Sequence, residues 1–198
     1  PVNKGGTNLT SVTNDRTLMV NNAGTALTSD YSGIVSVNVY TSNGTWTRPA
    51  GVSRVKVQVV GGGGGGTGHG EAGGAGGYSE ELLDVTGISS VTITIGGNGG
   101  GVTYHSSAGN GAASSFGPYL SASGGEGARR VGGHTGGRPG LGSGGNSNFY
   151  GGGGSGHTHY GGGQGGSSFW GGPNIGVHDS GPQPSNQETQ AAPGSGGT

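Results

Sequence analysis

The sequence predicts an all-β protein that passes from short strands into a stack of extended glycine chains. Three observations point there. Apolar and polar residues alternate over Val55–Val60 and Val91–Gly96, and no stretch has helical periodicity. From about Ser123 to Gly176 glycine dominates, and an aromatic residue followed by Gly-Gly recurs every ten residues, at Tyr150, Tyr160 and Trp170. A fixed period signals a repeated structural unit, and this unit is too poor in aliphatic side chains to build a hydrophobic core.

Taken in order, residues 1–30 are rich in Thr, Asn and Gly with isolated apolar residues. They read as short strands between tight turns, with Asn21-Asn22 and Ala23-Gly24 as turn material. A sheet this thin needs copies of itself, which suggests a fibrous oligomer; the competing reading is an N-terminal linker. Ile34, Val35, Val37 and Val39 suggest a strand, and Trp46 to Gly51 a Pro/Gly turn. Val55, Val57 and Val59 form one face of a half-buried strand. Tyr78 to Val85 gives another, with Leu82 and Leu83 inward, and Val91, Ile93 and Ile95 mark a third. Phe116 to Leu120 reads as a short strand that Pro118 confines to an edge. Short strands with Gly-rich turns predict a β-sandwich, on which Gly61–Gly66 and Gly96–Gly101 would be long loops. The chain thus divides into 1–32, a sandwich over 33–124, and a glycine-rich tip over 125–198.

For the tip, polyglycine II is the expected conformation, with three residues per turn and about 3.1 Å rise per residue. It has no internal hydrogen bonds, so neighbouring chains must satisfy its N–H and C=O groups. Absence of Cβ allows the close approach this needs. Ten residues less a turn leave a rod of about 20–25 Å. Antiparallel rods would bring Tyr150 and Trp170 to one end and Tyr160 to the other. A disordered Gly/Ser linker is the competing reading, against which stand the even aromatic spacing and the nearby Phe149 and Phe169. Collagen needs strict Gly-X-Y and abundant proline, whereas 55 glycines here accompany only 8 prolines.

Composition narrows the function. All but six glycines lie from Gly61 onward, so the two parts of the chain differ in kind. A net charge of −1 gives no reason to expect nucleic acid. Without Cys there are no disulfides and no thiolate metal site. No run is apolar enough to span a bilayer, no signal peptide is visible, and a start at Pro1 reads as the start of a fragment. Catalysis has no support: there is no G-x-S-x-G elbow or phosphate-binding G-x-x-x-x-G-K-[ST], and the nine acidic residues form no paired-carboxylate signature. An enzyme is therefore not expected.

A family resemblance adds to this. PVNKGGTNLTS at the start resembles shaft segments of tailed-phage tail fibres. YTSNGTWTRPAGVSRVKVQVVGGGGGG resembles a glycine-rich module of phage and prophage fibre tips, as do GYSEELLDV, SVTITIGGNGG and ASSFGPYLSASGG. Beyond residue 125 the likeness is mainly glycine richness, as in the small tip adhesins of T-even-like phages. The family's usual final strand is absent. The resemblance implies a homotrimeric shaft over 1–32 and a virion location at the distal tip of a tail fibre, extracellular when acting. It further implies upstream fibre segments and a fibre-assembly chaperone as partners, and a receptor on a Gram-negative host, either a porin or lipopolysaccharide. The alternative is a purely structural or ice-binding glycine-helix protein.

Candidate binding residues are those that interrupt the glycine. Phe149, Tyr150, Tyr160, Phe169 and Trp170 are either recognition anchors or clamps on the stack. Arg129, Arg130 and Arg138 suit phosphate or carboxylate, or serve solubility alone. His157 and His159 lie on one side of an extended chain. Three chains on a threefold axis would offer six nitrogens to iron or another divalent transition metal, similar to the needle tip of T-even long fibres. The competing reading is solvent-facing loop residues, which is also expected for His69, His105, His134 and His178.

Overall fold

The computed structural model describes residues 16–20, 27–31, 36–68, 70–103, 106–130, 133–156 and 163–173. The chain forms two compact units, Pro1–Val39 and Tyr40–Thr198. In the first, β1 (Arg16–Val20) pairs antiparallel with β2 (Leu27–Tyr31), Arg16 opposite Tyr31. The turn expected at Asn21 to Gly24 lies outside the described residues. The strand expected over Ile34–Val39 is not found in its described part. Residues 36–40 have no ladder partner, and Val37 and Val39 are 76% and 83% exposed. Among the described residues no strand pairs with these two valines or covers them.

The second unit contains two open sheets. One has the order β10-β5-β4, from β4 (Arg54–Val60), β5 (Tyr78–Asp84) and β10 (Ser147–Phe149). The other has the order β3-β6-β7-β8-β9, from β3 (Gly44–Thr47), β6 (Ser90–Thr94), β7 (Ser114–Phe116), β8 (Leu120–Ala122) and β9 (Gly142–Ser143). All pairings are antiparallel. β8 packs over β4 and β5, and the core between the sheets is Trp46, Val59, Val85, Val91, Ile93, Phe116, Leu120 and Ala122. Alternation works as expected in β6, where Val91 and Ile93 are buried and Thr92 and Thr94 exposed.

Three local expectations need correction. Trp46 is not in a turn but in β3, buried against Phe116 at 5.7 Å between ring centroids; the turn closes further on, where Val52 N–H donates to the Pro49 carbonyl at 3.2 Å. Leu82 and Leu83 cannot both face inward, because successive strand residues point to opposite faces. Leu83 packs on the core and Leu82 is 57% exposed. Phe116 to Leu120 is a hairpin instead of one strand: β7 and β8 flank a three-residue loop in which Gly117 has φ +51°, a region open to glycine.

The glycine runs are not loops on the sandwich. Gly61–Gly66 and residues 71–77 are entirely buried. Three antiparallel strand pairs continue into pairs of glycine segments, the first two being β4 into 61–66 and back through 72–77 to β5, and β6 into 96–101 and back through 108–113 to β7. In the same way β8 runs into 123–128 and returns through 136–141 to β9, and β10 runs into 151–156, which pairs with 163–167. Their hydrogen bonds recur every third residue. Gly61 and Gly64 donate to Gly77 and Gly74 at 3.0 and 2.8 Å. Gly62 and Gly65 donate to Ala112 and Gly109 at 3.0 and 2.9 Å. Gly63 and Gly66 carbonyls accept from Gly99 and Val102 at 2.8 and 3.1 Å, and those of Gly62 and Gly65 from Gly125 and Ala128, both at 2.9 Å. One segment therefore bonds four neighbours, where a flat strand bonds two. Segments on both sides of residue 125 belong to this one stack.

Such packing leaves no room for side chains inside. A Cβ on Gly64 would lie 2.0 Å from the Glu126 carbonyl oxygen, and one on Gly73 2.1 Å from that of Gly64. A Cβ on Gly97 or Gly100, on the outer segment, would meet nothing within 4 Å. Gly64→Ala and Gly73→Ala should each destabilise by about 1–3 kcal/mol or more through overpacking, read as a fall in the thermal unfolding midpoint. Gly97→Ala and Gly100→Ala should leave the midpoint nearly unchanged.

Candidate functional site

The hydrogen-bond registers put Thr67 and Glu71, Val102, and Arg129 and Thr135 at one end of the stack, away from the sheets. Gly61 faces Gly77 at the sheet end, whereas Thr67 N–H donates to the Glu71 carbonyl at 2.8 Å at the other end. Arg129 and Thr135 exchange two backbone bonds of 2.9 Å there, and Gly68 N–H donates to Val102 at 2.7 Å. The side chains that interrupt the glycine therefore fall into two groups, one at the reversal end and one beside the sheets.

At the reversal end the organising group is Glu71, the only acidic residue between Gly61 and Gly77 and fully buried. Its carboxylate accepts from the Thr67 hydroxyl, lies 2.7 Å from His134 Nδ1, and is 3.7 Å from Arg130 Nη1. His134 has a left-handed backbone, φ +51°, an uncommon conformation for a residue other than glycine. The carboxylate thus ties the 67–71 reversal to the 129–135 reversal. Burial works against its charge. The bonds from Thr67, from His134 and from its own backbone N–H, with the Arg130 charge, outweigh burial and hold the Glu71 pKa at about 2. Arg130, expected to face a receptor, is instead directed at this carboxylate with its side chain 11% exposed.

Arg129 and Arg138 remain on the surface. They line an open cleft of about 150 Å³ with Glu126, Thr135 and Gly136. Adjacent segments place them there: Glu126 N–H donates to the Arg138 carbonyl at 2.8 Å, and Arg129 follows Glu126 by three residues on the same face, 3.5 Å from its carboxylate.

Beside the sheets, Tyr78 begins β5 and is 1% exposed. Phe169 stacks flat on it, ring centroids 3.7 Å apart and 7° between planes. Trp170 meets Tyr78 edge-on at 5.8 Å, and Phe149 lies 5.5 Å from Phe169. Phe149, Phe169 and Trp170 are about half exposed and Tyr150 is 68% exposed. Tyr78 Oη donates to Glu80 at 2.5 Å and accepts from Gln58 at 2.8 Å. Burial, reinforced by the Glu80 bond, pushes its pKa up to about 12. Phe149 and Phe169 thus share one end, as antiparallel rods require. Neither Glu71 nor Tyr78 was expected to matter, although each has a sequence signal: a lone carboxylate inside polyglycine, and an aromatic where glycine gives way to strand.

His157, His159 and Tyr160, with His69, His105 and His178, lie outside the described residues. Among the described residues no group of three or more His, Asp or Glu is placed to hold a metal ion.

Two expectations follow. Glu71 is depressed from 4.5 to about 2, so the native state binds fewer protons than the unfolded chain. Its stabilisation is present above pH 4.5 and is lost as pH falls towards 2; a shift of this size is worth on the order of 3 kcal/mol. Glu71→Gln should unfold at a lower temperature at pH 7 and lose less on acidification, measured by thermal melts across that range. Phe169→Ala should cost about 1–3 kcal/mol by uncovering Tyr78. Trp170→Ala, removing an edge contact, should cost about half of that or less.

Residues 38–198 match the glycine-rich domain family. No curated protein is similar enough to the chain to be set beside it. With most of its length matched, from just before the first strand of the sandwich through the glycine stack, the chain belongs to the glycine-rich domain family.

Proposed function

We propose that this chain is the distal part of a phage tail fibre, that its glycine segments are polyglycine II helices, and that it binds a receptor on a Gram-negative host without catalysis. The helix assignment is supported by hydrogen bonds at every third residue, the repeat of a conformation with three residues per turn. The fibre reading is supported by the resemblance of 1–125 to shaft and tip segments. The observation that carries the binding role is the gathering of the chain reversals at one end of a stack whose interior has no side chains to discriminate with. Reversals on a rigid scaffold can vary without cost to the fold. Glu71 gives that end its rigidity, and Arg129 and Arg138 give it exposed chemistry.

The aromatic end is the second reading, favoured by the exposure of Tyr150 and Trp170. Phe169 has a structural duty there, covering Tyr78. A labelled chain should adsorb to cells of a susceptible host, and Arg129→Ala with Arg138→Ala should reduce adsorption while Tyr150→Ala with Trp170→Ala leaves it. The reverse result moves the receptor face to the aromatic end. Adsorption to no Gram-negative host would sink the receptor reading and favour a purely structural or ice-binding role.

The shaft reading requires a homotrimer, because a two-stranded hairpin is marginal alone. Light scattering should then give three times 18.9 kDa; a monomer would remove both the trimer and the six-histidine metal site.

A further inference from the structure

We propose that the cleft between Arg129 and Arg138 is a subsite for one acidic sugar residue, its phosphate or carboxylate held by the two guanidinium groups. The inference rests on the receptor reading and selects a glycan over a protein surface. Both arginines are exposed, and Arg138 forms no ion pair among the described residues. Arg129 is only loosely engaged, 3.5 Å from a Glu126 carboxylate that is itself partly exposed. The cleft thus presents two positive charges against one negative, with planar donors suited to paired anion oxygens.

The remaining lining chooses among anions. Glu126 would repel a bare phosphate, yet its carboxylate accepts hydrogen bonds, and Thr135 offers a hydroxyl beside it. A ligand that satisfies all four groups carries an anionic substituent and hydroxyl donors together, as a sugar phosphate or uronic acid does. At about 150 Å³ the cleft is smaller than the roughly 300–1,000 Å³ of drug-sized sites, which suits one residue of a glycan and not a long chain segment. The frame is firm: backbone bonds join 126 to 138 at 2.8 Å and 129 to 135 at 2.9 Å. Arg130 and His134 reach Glu71 and are not among the residues that line the cleft.

The test is an NMR titration of the full chain with glucose 6-phosphate, glucuronic acid, glucose and inorganic phosphate. The acidic sugars should shift the resonances of Glu126, Arg129, Thr135 and Arg138, and added salt should weaken them. Whichever acidic sugar binds better distinguishes phosphate from carboxylate as the source. Arg129→Gln with Arg138→Gln should weaken binding by about tenfold or more at an unchanged unfolding midpoint. Glucose binding as well as the acidic sugars, inorganic phosphate binding as well as glucose 6-phosphate, or no shift at these residues would overturn the proposal. If wild-type chain adsorbs to host cells yet shows no such shifts, the subsite fails and the receptor reading stands. If acidic sugars bind but no host is adsorbed, the receptor reading fails instead.

Discussion

Buried peptide groups must find partners, and in this protein that requirement falls on chains with almost no side chains. Residues 61–66 and 71–77 are buried along their whole length, and each amide left unpaired there would cost about 1–3 kcal/mol. A pleated strand directs its hydrogen bonds to two neighbours. A threefold repeat directs them to more, and the central segments here use four or five. The arrangement requires backbones in direct contact, which glycine permits and alanine would block at Gly64 and Gly73. The hydrophobic effect contributes little within the stack; hydrogen bonding and close packing of Cα groups take its place.

The sandwich makes this arrangement reachable. Every described glycine segment except 163–167 continues into, or from, a strand. Sheet register therefore sets segment register: Val60 opposite Tyr78 in the ladder leads to Gly61 opposite Gly77 in the stack. The apolar core from Trp46 to Ala122 anchors one end, and the Glu71 carboxylate ties the other. Two unlike devices, one apolar and one ionic, thus close the ends of a stack that has little side-chain chemistry between them.

Much of the sandwich was legible in the sequence, because alternation reports burial directly at Val55 to Val59 and at Val91 to Ile93. Its errors have local causes. Leu82 and Leu83 are adjacent, so one of them had to face outward. Val37 and Val39 alternate correctly, yet no described sheet receives them. The glycine runs failed differently: Gly61–Gly66 looked like a loop because glycine carries no mark of inside or outside. Rods were expected only after Ser123, where aromatics made the period visible. At the candidate sites, exposed Arg129 and Arg138 could be named from sequence, whereas the turning of Arg130 to Glu71 and the stacking of Phe169 on Tyr78 depend on contacts between distant segments.

Amide hydrogen exchange resolved residue by residue tests the central claim most directly. The outer segment 96–102 is the decisive place, because only every third N–H along it has an acceptor among the described residues. Gly96, Gly99 and Val102 donate to Ser114 Oγ, the Gly63 carbonyl and the Gly66 carbonyl at 3.0, 2.8 and 3.1 Å, while Gly97 and Gly100 donate to no carbonyl or side chain among the described residues. The account predicts protection at every third residue, at Gly96, Gly99 and Val102, with Gly97 and Gly100 exchanging fast, and protection at Gly61, Gly62, Gly64 and Gly65 in the central segment. Uniformly fast exchange across both segments, with β4 and β5 still protected, would contradict it and return the glycine runs to the status of loops.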